Sequence, residues 1–216
     1  MITTPDLIDS LAKGAAPVRR LRPPLVRAAG WLAFAASILA LVIVAHGLRP
    51  DLAASLQTTA FAINFGAALA TGVLAAIAAF VVGVPGRSSA WLLLPVPTLA
   101  VWMLNIGYGC VTAWVDLPAG LKLGDEASCF ALLVVTGVPL SLVMLIMLRH
   151  AALIAPTQVT IMGGLAVAAL TAVGLSLFHN HEASALVLLW NLGIAALLVA
   201  AGGLAGRRMF SWVAPR

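Results

Sequence analysis

Charged residues are scarce in this 216-residue chain: Asp, Glu, Lys and Arg make up 9% of it, while 62% is apolar and the mean hydropathy is +1.10. Soluble domains spend about 25% of their residues on these four types. The shortage excludes an ordinary soluble enzyme, because the chain cannot cover a globule with charge. The net charge of +5 would suggest nucleic-acid binding in a soluble protein, so the positions of the charges matter.

Charged residues are also absent from long stretches, each of which exceeds the roughly 20 residues that cross a bilayer as a helix. These stretches are 28–48, 52–86, 88–115, 127–148, 150–181 and 183–206. Proline and polar breaks predict helices near 29–46, 61–83, 90–110, 128–148, 158–178 and 185–205. The expected fold class is therefore all-α, a polytopic transmembrane helical bundle with six spans.

Basic residues are distributed unequally between the two faces that six spans define. Ten fall in the termini and alternate loops, and two, Arg49 and Lys122, fall on the other face, so the faces sum to +8 and −3. Because cytoplasmic loops are enriched in Lys and Arg, both termini are expected in the cytoplasm. We predict a cytoplasmic arm over 1–27, a transmembrane domain over 28–206 and a cytoplasmic tail over 207–216. The basic excess thus indicates orientation, and no direct nucleic-acid contact is expected.

No Asp, Glu, Lys or Arg lies inside a predicted span. Ion-coupled transport needs an ionisable or polar residue at mid-membrane, and catalysis needs a nucleophile with a base or paired carboxylates. These absences disfavour a small permease or metal exporter and an enzyme, and no cofactor or small-molecule substrate is expected. The strongest polar groups, Asn64, Asn105 and Asn191, are expected to bond to neighbouring helices.

Only two cysteines are present, Cys110 and Cys129, at the outer ends of the third and fourth predicted spans. In an oxidising compartment they form either a structural disulfide or a thiol pair that responds to oxidants or soft metal ions. His179 and His181 on the same face are weak candidates for a metal site, because no typical ligand spacing is present. A membrane thiol oxidoreductase is an alternative, disfavoured by the lack of a C-x-x-C motif.

The predicted arm contains a short amphipathic helix. Thr4 as N-cap and Pro5 at the first helical position predict a helix that runs to about Gly14. Its apolar face consists of Leu7, Ile8, Leu11 and Ala15. Because so short a helix is marginal in water, we expect it to fold against a partner protein or the lipid surface.

Several short stretches, in order along the chain, are similar to one known family. They are Leu7–Ala12, Pro17–Pro24, Trp31, Gly47–Asp51, Val84–Arg87, Gly107–Cys110, Cys129–Phe130, Met147–Ala152 and Gly163–Ala166. In this combination the chain resembles the negative-regulator-of-sigma-F family, which are six-span inner-membrane anti-sigma factors of proteobacteria.

This resemblance implies a bacterial inner-membrane regulator that holds an extracytoplasmic-function sigma factor and releases it under metal or oxidative stress. Cys110 and Cys129 match the family's two periplasmic cysteines, which are implicated in perceiving the stress. The arm matches the family's cytoplasmic sigma-binding segment. The implied partner-binding residues are Leu7, Ile8, Leu11, Val18, Arg19, Arg20, Leu21 and Arg22.

Overall fold

A computed structural model describes residues 3–14, 22–113, 123–149 and 156–178. Its helices are α1 (Thr4–Gly14), α2 (Pro24–His46), α3 (Leu52–Gln57), α4 (Thr59–Val82), α5 (Val96–Ala113), α6 (Leu123–Leu148) and α7 (Pro156–Phe178), with a 3₁₀ helix at Ser89–Leu93. No β-strand occurs in these ranges. The predicted all-α class is confirmed for the described residues.

Four described segments are long and apolar enough to cross a membrane: α2, α4, Ser89–Gly107 and α7. A fifth apolar stretch, Leu133–Leu148, forms most of α6. These five coincide with the first five predicted spans. The sixth, predicted at 185–205, lies outside the described residues.

Prolines move two boundaries away from the predicted ones. α2 begins at Pro24 rather than near residue 29, because Pro23 is extended and Pro24 occupies the first turn, where a missing N–H costs no helical bond. The third predicted helix is divided, since the 3₁₀ helix ends at Leu93 and α5 begins after Pro95. The Pro95 carbonyl accepts the first backbone hydrogen bond of α5 from the Leu99 N–H at 2.9 Å, and it also accepts a bond from the Thr98 hydroxyl at 3.0 Å. The short α3 has no counterpart among the predicted helices.

α4 and α7 approach each other closely at the centre of the bundle, where α4 also packs against α2, α3 and α5. Gly72 of α4 makes this approach possible, because a Cβ atom there would lie 2.9 Å from Cγ and Cδ2 of Leu170. Two glycines of α7 allow similar close contacts. A Cβ atom at Gly174 would lie 2.8 Å from Leu39 of α2. A Cβ atom at Gly163 would lie 3.3 Å from a carbon of Met144 in α6. Small residues therefore let α7 approach three other helices.

The end of the bundle at which α2 begins is here named the arm end. Arg27, in the first turn of α2, donates a hydrogen bond to the carbonyl of Met147 in the last turn of α6. Its guanidinium carbon lies 5.2 Å from the ring centroid of Phe80, near the end of α4. The start of α2 thus lies beside the ends of α4 and α6.

The opposite end is held together around Arg49, which follows α2. Its backbone N–H donates to the carbonyl of Leu177 in the last turn of α7 at 3.1 Å, and its guanidinium carbon lies 5.3 Å from the Phe61 ring at the start of α4. The end of α2 thus lies beside the start of α4 and the end of α7. Successive long helices alternate in direction, as the predicted topology requires.

Arg49 also forms an ion pair with Asp51. Its Nε and Nη2 atoms donate to the two carboxylate oxygens at 2.8 and 2.6 Å, and Nη2 donates to Ser55 at 2.9 Å. The Arg49 side chain is only 8% exposed, whereas that of Asp51 is 48% exposed. The hydrogen bonds from Arg49 lower the pKa of Asp51 to about 2. The ion pair therefore stabilises the fold above pH 3.8, the ordinary pKa of Asp, and this stabilisation is lost as the pH falls toward 2.

Replacing Gly72 with Leu is expected to destabilise the bundle by about 1–3 kcal/mol, because the added atoms overlap Leu170. Gly66→Leu is the matched control in the same helix, since a Cβ atom at Gly66 meets no described atom within 4 Å. The measurement is the unfolding free energy in detergent micelles. Equal stability of the two variants would contradict the proposed role of Gly72.

Candidate functional site

The N-terminal helix α1 is capped by Thr3, one residue before the predicted N-cap. The Asp6 N–H donates to the Thr3 hydroxyl oxygen at 3.4 Å, and the Thr3 N–H donates to the Asp6 carboxylate at 3.3 Å. The prediction of Thr4 as N-cap is wrong for a physical reason. Asp6 lies three residues after Thr3, and its carboxylate accepts a hydrogen bond from the Thr3 N–H. Leu7 lies three residues after Thr4 and has no side-chain acceptor.

The polar side of α1 is solvated. Hydrogen bonds from the Thr3 hydroxyl and N–H lower the pKa of Asp6 below its ordinary value of 3.8. Asp9 and Lys13 form an ion pair at 2.8 Å with side chains 70% and 79% exposed. Because exposed ion pairs at this spacing contribute little, this pair adds little to the stability of α1.

The apolar side of α1 is exposed as well. Leu7 is 48% exposed and Ile8 is 63% exposed, and both lie on the face that the sequence predicts. Leu11 belongs to the same helix, but its side chain lies outside the described part of the structure. Two large apolar side chains on a short helix leave a surface that a partner or a membrane would cover.

The predicted basic segment is described only at its last residue. Arg22 is exposed immediately before α2. Val18, Arg19, Arg20 and Leu21 lie outside the described residues. The structure therefore neither joins this segment to Leu7 and Ile8 nor separates it from them.

Both cysteines belong to helices at the end opposite the arm end. Cys110 lies in the last turn of α5, and Cys129 in the second turn of α6. Asn105, one turn before Cys110, donates its Nδ2–H to the Ala60 carbonyl at the start of α4 at 2.9 Å, as expected of a polar group between helices. The two cysteine side chains lie outside the described part, as do His179 and His181. Within the described ranges, no three His, Cys, Asp or Glu residues form a metal-binding group.

Sequence reasoning missed two residues that join α2 to α6. Trp31 is fully buried and donates its Nε1–H to the Leu140 carbonyl at 3.3 Å, and Arg27 donates to Met147. Their spacing of four residues places both on one face of α2, which is the pattern that points to them in the sequence.

Within the described ranges the protein is all-helical, with several apolar helices of membrane-spanning length and a short exposed amphipathic helix before them. The family model NrsF, described as negative regulator of sigma F, matches residues 11–212. The chain therefore belongs to the NrsF family, and the suspected resemblance is confirmed. Membership implies negative regulation of a sigma factor, with a sigma factor as the partner. No curated protein and no solved structure matches the chain.

Replacing Thr3 with Ala is expected to unwind the first turn of α1, at a cost of about 1 kcal/mol for a lost N-cap. Thr4→Ala, the matched control, leaves the capping bonds intact. Cα chemical shifts of residues 4–10 in the full-length protein report the helix content. The difference between the variants should shrink as the pH falls below 3.8, because protonation of Asp6 weakens the bond from the Thr3 hydroxyl to the carboxylate, which Thr3→Ala also removes. A larger loss of helix content in Thr4→Ala than in Thr3→Ala would support Thr4 as the N-cap and contradict the cap at Thr3.

Proposed function

We propose that this protein is a membrane anti-sigma factor that sequesters an extracytoplasmic-function sigma factor through its N-terminal arm. The family match supports a sigma factor as the partner. We assign sigma binding to the arm because Leu7 and Ile8 are exposed on α1. In the resting state the arm blocks access of the sigma factor to core RNA polymerase.

The proposed binding surface combines an apolar helix face with a basic segment. Leu7, Ile8 and Leu11 lie on the apolar face of α1, and Val18, Arg19, Arg20, Leu21 and Arg22 follow within the arm. Two or three apolar side chains on one face of a helix are typical of binding in a groove of a partner. The arginines add contacts to acidic side chains, which increase the rate and specificity of association.

The proposed location is the bacterial inner membrane, with both termini in the cytoplasm. The apolar helices and the uneven basic residues support this orientation. It places the arm 1–27 and the tail 207–216 beside the transcription machinery, with the transmembrane domain 28–206 between them. The end that carries Cys110 and Cys129 then faces the periplasm.

The proposed sensor is the pair Cys110 and Cys129. These cysteines belong to α5 and α6, at the end of the bundle opposite the arm end. A peroxide would take two electrons and two protons from the thiols, forming one S–S bond and releasing water and a second hydroxyl compound. A soft or borderline divalent cation would instead replace the two thiol protons. His179 and His181 are further candidate ligands. Either change alters how α5 and α6 pack, and release of the sigma factor requires a difference of only a few kcal/mol between two states.

Replacing Leu7 and Ile8 together with Ala is expected to lower the affinity for the sigma factor about tenfold or more, because apolar anchors carry much of the energy of such interfaces. The control is Asp9→Ala with Lys13→Ala, which removes the exposed ion pair of the same helix. The measurement is the fraction of a tagged extracytoplasmic-function sigma factor that sediments with the membranes. Unchanged retention by the first variant would move the binding surface away from α1.

Replacing Cys110 and Cys129 together with Ser is expected to keep the sigma factor bound under stress. The readout is transcription from a sigma-dependent promoter, before and after addition of hydrogen peroxide or Zn²⁺. The chain without these substitutions should respond to at least one of these agents, and the variant to neither. A variant that responds like the unsubstituted chain would exclude the cysteine pair as the sensor.

A further inference from the structure

α2 connects the arm directly to the bundle. It begins at Pro24, within the last four residues of the arm 1–27, and packs against α4, α6 and α7. A displacement of α2 along its axis therefore moves the attachment point of the arm. Each helix packed against α2 is a candidate to displace it.

α6 holds the start of α2 by two directional contacts. The Arg27 guanidinium donates to the carbonyl of Met147, and the indole Nε1–H of Trp31 donates to the carbonyl of Leu140 at 3.3 Å. Met147 lies in the last turn of α6, where a carbonyl has no donor within the helix, so Arg27 satisfies an otherwise open group. Both bonds go to backbone atoms, so they follow any movement of α6 itself.

The bonded part of α6 is also well packed. Trp31 is fully buried, and Leu140, Met144 and Leu148 form a buried stripe along α6 in the same hydrophobic cluster. Pro139 precedes this stripe and has no N–H to give to the helix, so α6 can bend there. Both contacts with α2 thus lie in one segment on the arm side of Pro139, so a bend at Pro139 would displace the two contacts together.

α6 reaches from the cysteine-bearing end to the arm end. Its 26 residues correspond to about 39 Å of helix at a rise of 1.5 Å per residue, with Cys129 in its second turn and Met147 in its last. α5, which carries Cys110, packs mainly on α4 instead. Of the two helices that carry cysteines, α6 is therefore the one joined to α2 by the hydrogen bonds described.

We propose that α6 transmits the state of the cysteine-bearing end to the arm, and that Arg27 and Trp31 are the positioning residues that couple α6 to α2. This proposal rests on the proposed function, since it assumes sensing at one end and sigma binding at the other. The binding face of α1 is separated from α2 by residues 15–23. Loss of the α2–α6 contact should therefore leave the arm able to bind while making it insensitive to stress.

The test uses the full-length protein with Trp31→Phe, which keeps an aromatic ring and removes the N–H donor. Trp102→Phe is the matched control, because Trp102 is a buried tryptophan of α5 that packs in a different hydrophobic cluster. The readout is the ratio of sigma-dependent transcription with hydrogen peroxide to that without it. We expect Trp31→Phe to lower this ratio by roughly 2- to 30-fold with unchanged uninduced transcription, and Trp102→Phe to leave the ratio unchanged.

Arg27→Lys is a second variant at the surface of the bundle, which keeps the charge and removes the guanidinium fork. It should lower the same ratio, and it serves as the test if Trp31→Phe fails to accumulate in membranes. Induction by both variants equal to that of the unsubstituted chain would overturn the proposal. Raised uninduced transcription would also overturn it, because the contact would then maintain sigma binding rather than transmit its loss.

Failure of the proposed function gives a different result. If the variant with Cys110→Ser and Cys129→Ser still responds to peroxide, the sensor assignment is wrong whatever Trp31→Phe does. If the cysteine variant loses the response while Trp31→Phe and Arg27→Lys keep it, only the route through α6 and α2 is wrong.

Discussion

The close approach of α4 and α7 is the central contact of the described bundle, because α2, α3, α5 and α6 each pack against one or both of these helices. Lipid tails are as apolar as leucine, so helices in a bilayer associate through close packing and hydrogen bonds rather than through the hydrophobic effect. Gly72 gives Leu170 room at this contact, and Gly163 and Gly174 let α6 and α2 pack on the same helix, α7. Because α7 contacts three helices through surfaces without free space, a shift of one of them requires its neighbours to adjust.

Two arginines then fix α2 at both of its ends. Arg27 lies over Phe80 and bonds to the end of α6, while Arg49 lies over Phe61 and bonds through its backbone to the end of α7. In each case a residue of α2 or its flank satisfies a carbonyl in the last turn of another helix. At Met147 the donor is the charged guanidinium of Arg27, which the dipole of α6 favours at that end. α2 is thus tied to α6 at the arm end and to α7 at the opposite end. Movement of α2 is thereby coupled to these two helices.

The sequence predicts what depends on local chemistry. Charge-free stretches located five helices, although the third, predicted as one helix over 90–110, is divided near Pro95. The N-cap was predicted one residue too late. Thr3 and Thr4 are both suitable N-cap residues, and only Thr3 is followed three residues later by an acidic side chain, Asp6. The contacts of Arg27 and Trp31 with α6 join residues 120 and 109 positions apart, and no local pattern specifies which faces of two helices meet. Leu7 and Ile8 are exposed on α1, and the proposed partner that would cover them is not encoded in the local sequence.

The distribution of polar groups limits how the proposed signal passes between the two ends of this protein. The stretches 28–48, 52–86 and 127–148 contain no Asp, Glu, Lys or Arg. Their other ionisable residues, His46 and Cys129, lie near helix ends, so these stretches offer no ionisable side chain at mid-membrane to carry protons between the ends. Communication along them therefore requires displacement or bending of helices. A helix transmits displacement only where its neighbour is attached to it, and α6 is attached to α2 on the arm side of Pro139. A bend at Pro139 moves this segment of α6 against α7 at Gly163. A Cβ atom added to Gly163 would lie 3.3 Å from Met144 of α6, so the two helices already pack closely there. Tight packing at that point favours two discrete arrangements over a continuous slide, which is the property that a switch between bound and released states needs.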